Sequence, residues 1–145
     1  MRNFCTSFDS HYLSRGLALY RSLEAHAGKF ELTVLCLDPA VEKALASLAL
    51  PHLRQVSVGE LVKKYSALTA ARHDRTTLEF YFTCTSWLLR HLLPEIPAGE
   101  LLTSLDADVC FFHSPEAVFT EIGAGSVAIT PRRLTAKLAG LERQG

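Results

Sequence analysis

The sequence predicts an α/β protein: a mostly parallel sheet with helices on both faces. Three observations carry this. Short apolar, β-branched runs alternate with segments whose apolar residues recur every three or four positions. The order reads β-α-β-α-β-α-α-β-α-β, the pattern of parallel strands joined by crossover helices. The 145 residues, 48% of them hydrophobic and 21% charged, suit one globular domain, 1–145, built on one core.

The elements follow in order. Phe4–Phe8 opens the chain as a strand. After Asp9 the period changes: Tyr12, Leu13, Gly16, Leu17, Leu19, Tyr20 and Leu23 share one helical face, with Asp9 or Ser10 as N-cap and a stop near Gly28. Phe30–Leu37 is a buried strand, almost continuously apolar or β-branched. Asp38-Pro39 starts a second helix with Pro at its first position; its apolar positions include Val41, Leu45, Leu48 and Leu50, and Pro51 ends it. Gln55–Val58 is a third strand, followed by a helical turn over 59–65. Ser66–Arg75 is polar and reads as irregular. A long helix spans Thr77–Leu93 and closes at Pro94. A fourth strand, Leu101–Leu105, runs into Asp106-Ala107-Asp108. Pro115 starts a short helix through Ile122, Ser126–Thr130 is a fifth strand, and Arg132–Gly145 reads as a helix.

Composition narrows the function classes. Fifteen Lys and Arg balance fifteen Asp and Glu, and no basic stripe is visible, so nucleic acid is not an expected partner. No apolar run approaches the roughly 20 residues of a spanning helix. Asp9 arrives too early for a secretory leader, so a cytoplasmic protein without a membrane span is expected. Cys5, Cys36, Cys84 and Cys110 are widely separated, with no CxxC and no Cys/His metal spacing; all four are expected to be buried and reduced. The six histidines form no HxxxH or HExxH pair, and GxSxG, Walker and GxGxxG motifs are absent.

In open parallel sheets, ligands sit beyond the carboxyl ends of the strands. Two chemically interesting segments fall there. Asp106 and Asp108 follow an apolar strand and precede Val109-Cys110-Phe111-Phe112. At extended spacing, residues two apart share a side, with Cα atoms about 6–7 Å apart. Two carboxylates that close repel unless a proton or cation intervenes, and a hard divalent cation with oxygen ligands satisfies both. The bland alternative is a solvated turn after a strand. Thr6-Ser7-Phe8-Asp9 ends the first strand in hydroxyl groups, with Tyr12 a helical turn later as a stacking surface. Here the alternative is helix capping by Asp9 and packing by Tyr12. Arg72-His73-Asp74-Arg75 and Arg132-Arg133 could meet phosphate, or form solvated charged surface.

Taken together, these segments resemble the GT-A nucleotide-sugar glycosyltransferases, and within them bacterial members related to glycosyltransferase family 8. The likeness rests on Phe4–Asp9, Tyr12–Leu23, Glu79–Thr85, Leu105–Phe112 and Ser126–Arg133, and covers essentially the whole chain. The resemblance implies that Thr6, Ser7, Phe8 and Asp9 line a nucleotide-sugar pocket and that Tyr12 contacts the base. It implies that Asp106 reaches the ribose or the metal, that Asp108 ligates Mn²⁺ or Mg²⁺, and that Arg75 approaches the diphosphate. The donor implied is a UDP-sugar; the acceptor and any catalytic base are not identified.

GT-A enzymes continue beyond the point corresponding to Gly145. The resemblance is therefore to their nucleotide-binding half, and an incomplete domain with an exposed sheet edge and an uncovered apolar face is expected. Self-association through that face would follow. Two other readings stand beside the transferase. One is a non-catalytic remnant or interaction module. The other is a phosphotransferase of the haloacid dehalogenase type, against which Cys110 stands where a hydroxyl residue is expected and the Asp pair follows the fourth strand rather than the first.

Overall fold

The structure, a computed structural model, describes residues 1–129. It falls into two compact units, divided after Pro115.

The first unit is built on four parallel strands in the order β3-β2-β1-β4, where β1 is Arg2–Phe8, β2 Phe30–Cys36, β3 Leu53–Ser57 and β4 Leu102–Ser104. β1 pairs with β2 along its whole length, from Arg2↔Phe30 to Phe8↔Cys36. On its other edge it pairs with β4, Cys5 opposite Ser104. The expected α/β architecture with a parallel sheet is therefore present.

Side-chain alternation divides the sheet into two faces. Phe4, Phe8, Phe30, Leu32 and Val34 point to the face covered by α1 (Leu13–His26) and α2 (Pro39–Leu48), whose Leu19, Tyr20, Leu23, Val41 and Leu45 are buried. Tyr20 lies with its ring 6.0 Å from Phe30 and donates its hydroxyl hydrogen to the Pro51 carbonyl. Cys5, Leu35 and Val56 point the other way, into a cluster with Leu61 of α3 (Val58–Lys64), Leu68 of α4 (Ser66–Asp74), and Phe80, Cys84, Leu88 and Leu92 of α5 (Thr77–Leu92). Each fully buried Leu or Val of this kind contributes about 1.5–3 kcal/mol relative to exposure.

Local chemistry sets the helix boundaries. Gly28, at φ +65°, supplies the left-handed residue just past α1. Asp38 caps α2 with Pro39 in its first turn. Capping boxes start α3 at Ser57 with Glu60 and α5 at Thr76 with Glu79. A 3₁₀ turn over Leu93–Glu95 takes the chain past Pro94.

Four expectations need correction. The segment from Ser66 to Asp74 is helical, not irregular: Ala67, Ala70 and Ala71 favour the helix, and Leu68 is completely buried in the sheet cluster. The fourth strand is shorter than expected, and Asp106-Ala107-Asp108 is a turn closed by Val109 N–H donating to the Asp106 carbonyl at 3.1 Å. Extended spacing therefore does not apply to the pair. Ser126–Ile129 forms no strand. A strand persists only when laddered to a neighbour, this segment is not in the sheet, and Val127 and Ile129 are 79% and 86% exposed. Thr130, Arg132-Arg133 and the expected C-terminal helix lie outside the described residues. Finally, Cys5, Cys36 and Cys84 are buried, but Cys110 is exposed because it follows the turn instead of lying in a strand.

The second unit is described through α6 (Glu116–Ile122) and the residues up to Ile129. Among the described residues no helix is long and apolar enough to cross a membrane.

Candidate functional site

The carboxyl ends of β1, β2 and β4 carry the candidate site. Asp38, directly after β2, fixes two loops at once. Its Oδ2 accepts the N–H of Ser10 at 2.8 Å, and its Oδ1 accepts the N–H of Val41 at 2.9 Å. Burial alone would raise this carboxyl, but the backbone N–H groups of Ser10 and Val41 outweigh it and hold the group below the ordinary aspartate range. Asp9, one residue past β1, accepts from the His11 N–H at 3.1 Å and caps the 3₁₀ turn Ser10–Tyr12. The capping reading of Asp9 is therefore correct. It does not conflict with a second role at the rim.

Ser7 and Thr85 join the sheet to α5. Thr85 Oγ1 donates to the Tyr81 carbonyl at 3.2 Å, so Ser7 Oγ donates to Thr85 Oγ1 at 2.8 Å. The Tyr81 hydroxyl is pushed up first by burial and then by the negative charges of Asp9 and Asp38, with Arg72 opposing. The Ser7–Thr85–Tyr81 hydrogen bonds tie this turn of α5 to the carboxyl-terminal half of β1.

The remaining residues singled out from the sequence divide into rim and wall. Tyr12 is 42% exposed, and the Arg15 guanidinium stands 4.5 Å from its ring centroid, a cation–π arrangement. Thr6 is 1% exposed and its Oγ1 has no hydrogen-bond partner. Phe8 is buried against α1, where Gly16 leaves room for its ring. Arg75 follows α4, is exposed, and donates to Thr83 Oγ1 on α5.

Leu105 N–H donates to the Cys5 carbonyl at 2.9 Å, which carries the β4 end alongside β1 and starts the Asp106–Val109 turn there. Ala107 is buried and anchors the turn, while Asp106 and Asp108 are exposed. Phe111, just beyond, packs its ring 6.4 Å from that of Phe4 on β1. Neither carboxylate is hydrogen-bonded or ion-paired among the described residues. Among the described residues, no third His, Cys, Asp or Glu joins them there as a metal ligand. Two unengaged carboxylates suit a hard divalent cation whose other ligands are water and phosphate oxygens.

Sequence reasoning missed Asp38, Tyr81 and Thr85. Asp38 read only as a helix start. Tyr81 and Thr85 lie four apart on α5, beside the apolar line Phe80, Cys84, Leu88; polar groups bordering a buried face were the available signal.

No family model matches the chain. It is 26% identical over 131 residues to the uncharacterized protein YfnD of Bacillus subtilis and 27% identical over 116 residues to YfnF of the same organism. These matches cover 90% and 80% of this chain but 42% and 38% of the relatives, so the chain spans less than half their length. Among solved structures, the apo crystal structure of mouse xyloside xylosyltransferase 1 aligns with a TM-score of 0.50 at 16% identity, over 83% of this chain and 47% of that one. The four-stranded parallel sheet with its helices is thus a glycosyltransferase-like α/β fold.

Proposed function

We propose that this chain is the donor-binding part of a metal-dependent glycosyltransferase that takes a nucleotide-diphosphate sugar, a UDP-sugar, for transfer to an acceptor. The observation that carries the reading is the turn holding Asp106 and Asp108, with both carboxylates unengaged, where β4 leaves the sheet beside β1.

Asp106 and Asp108 hold Mn²⁺ or Mg²⁺ in this reading. A divalent cation supplies charge neutralisation to the leaving nucleoside diphosphate. The chain's own residues do the rest. Tyr12, backed by Arg15, offers a flat face to the base. Ser7 and Asp9 supply polar groups at the rim, and Thr6 and Phe8 form the buried wall behind them. Arg75 presents a guanidinium to the diphosphate, a role suited to its planar fork of donors.

Calorimetry with UDP, GDP, ADP and CMP in the presence of Mn²⁺ tests the donor class. The expected result is preference for UDP, weakened in Tyr12→Ala through the base and in Arg75→Gln for diphosphates but not for uridine. Equal binding of all four nucleotides would overturn the choice of donor.

A second reading is an interaction module that pairs with a second copy of the chain. It is favoured by the exposed Leu78 and Phe82 on α5 and by Leu93 just after it. Light scattering separates the two: a monomer across the accessible concentration range removes this one.

A further inference from the structure

At the opposite edge of the sheet from the Asp106–Asp108 turn lies a second concavity. β3 is the outer strand, laddered to β2 alone among the described residues. Beside it opens a cleft of about 380 Å³. Val56 and Leu61 form its apolar floor, and Arg54, Glu60, Lys64 and His91 form its walls. These residues come from β3, α3 and the last turn of α5, so three elements converge on it.

Arg54, Lys64 and His91 offer donors to the cleft, beside the carboxylate of Glu60. Glu60 spends a carboxylate oxygen on the Ser57 N–H at 3.1 Å, inside the α3 capping box. Arg54 is bound by Glu95 through both terminal nitrogens, Nη2 donating to Oε1 at 3.3 Å, which fixes the guanidinium while leaving N–H groups in excess. Lys64 Nζ lies 3.1 Å from His91 Nδ1, and the Tyr65 hydroxyl lies 3.3 Å from the same atom. An ammonium only donates, so Nδ1 is the acceptor and the imidazole carries its proton on Nε2. Burial first, and the Lys64 charge next, hold His91 below its ordinary value; Arg54 acts the same way, and Glu95 and Glu60 oppose.

We propose that this cleft is a binding site for a phosphate group, as inorganic phosphate or as the phosphomonoester of a compound of about monosaccharide size, held by Arg54, Lys64 and His91. A planar carboxylate is best met by a bidentate Arg fork, and Glu95 already occupies that fork. The donors left over come from three elements, which suits a tetrahedral oxyanion better than a planar one. The site is separate from the Asp106–Asp108 turn and does not depend on the donor-binding reading.

The test uses the full chain, with inorganic phosphate and glucose 1-phosphate as probes at constant ionic strength. His91 ring resonances report directly, and Trp87, the sole tryptophan, reports through Tyr65, whose ring lies 4.7 Å from Trp87 and 6.1 Å from His91. Saturable changes with a Kd of about 1 mM or tighter are expected, together with a rise in the His91 pKa as the anion offsets Lys64 and Arg54. Lys64→Gln is expected to weaken binding about tenfold or more, while Lys63→Gln, the same charge change one residue away, leaves it nearly intact. Tighter binding of the ester than of inorganic phosphate identifies the ester as the ligand, and the reverse identifies the free ion; either supports the site. Linear, non-saturating changes, or equal losses in the two lysine variants, would overturn it, because they report diffuse charge attraction.

Discussion

Asp38 accepts the backbone N–H of Ser10 at 2.8 Å, so a residue that starts one helix also holds the entrance to another. The second oxygen of the carboxylate caps its own helix at Val41. One side chain therefore positions the loops after both β1 and β2, which form one side of the candidate site. Asp38→Ala is expected to lower stability by about 1–2 kcal/mol, the range for losing an N-cap, and to loosen the Ser10–Tyr12 turn. Denaturant titration measures the first effect and amide exchange at Ser10 the second.

The same carboxylate gives a pH signature. Its pKa in the folded protein lies below the unfolded value of about 3.9. Its stabilisation is therefore complete above the unfolded value and is lost as pH falls through the folded one. Asp38→Asn keeps an acceptor oxygen but cannot titrate, so its stability should fall less steeply on acidification than that of the parent chain. Parallel acid titrations of the two proteins, followed by circular dichroism, check this.

Gly16 sits where a Cβ would stand 2.4 Å from the Phe8 ring. Gly16→Ala must displace that ring, and overpacking of this kind costs about 1–3 kcal/mol. Phe8→Leu in the same chain should recover part of the loss. A double-mutant cycle with strictly additive effects would contradict the contact.

Thr6 Oγ1 is buried without a partner. Thr6→Val removes the unpaired hydroxyl at almost unchanged shape and is expected to raise stability by about 1 kcal/mol. If Thr6 is wall and not rim, UDP affinity stays within about twofold. Thermal unfolding and calorimetry on the same sample give both numbers.

Leu68 tests the helix that the sequence concealed. It is fully buried in the cluster with Cys5, Leu35 and Phe80. Leu68→Ala is expected to cost about 2–5 kcal/mol, whereas an exposed loop leucine would cost little. Equilibrium unfolding decides between them.

The parallel sheet was legible because β2 is almost wholly apolar and because Asp38-Pro39 and Pro94 punctuate the helices around it. Ser66–Asp74 was not, since a single inward leucine among alanines and charges gives a weak period while tertiary burial supplies the stability. Ser126–Ile129 shows the converse: apolar, β-branched residues look like a strand, but a strand needs a laddered neighbour and this segment has none among the described residues. At the site, the position of Asp106 and Asp108 at the strand end was legible and their turn geometry was not, because the Asp106–Val109 hydrogen bond leaves no mark on residue spacing. Ser7 and Thr85, 78 residues apart, meet only through the packing of α5 on β1.

The most direct measurement is a calorimetric titration of UDP into the chain, first with Mn²⁺ and then with EDTA, repeated for Asp106→Ala and Asp108→Ala. The account predicts saturable binding with Mn²⁺ that is abolished by EDTA and reduced at least about tenfold in each variant. Binding that survives EDTA, or that both variants retain in full, would contradict a metal-bridged donor site at the end of β4.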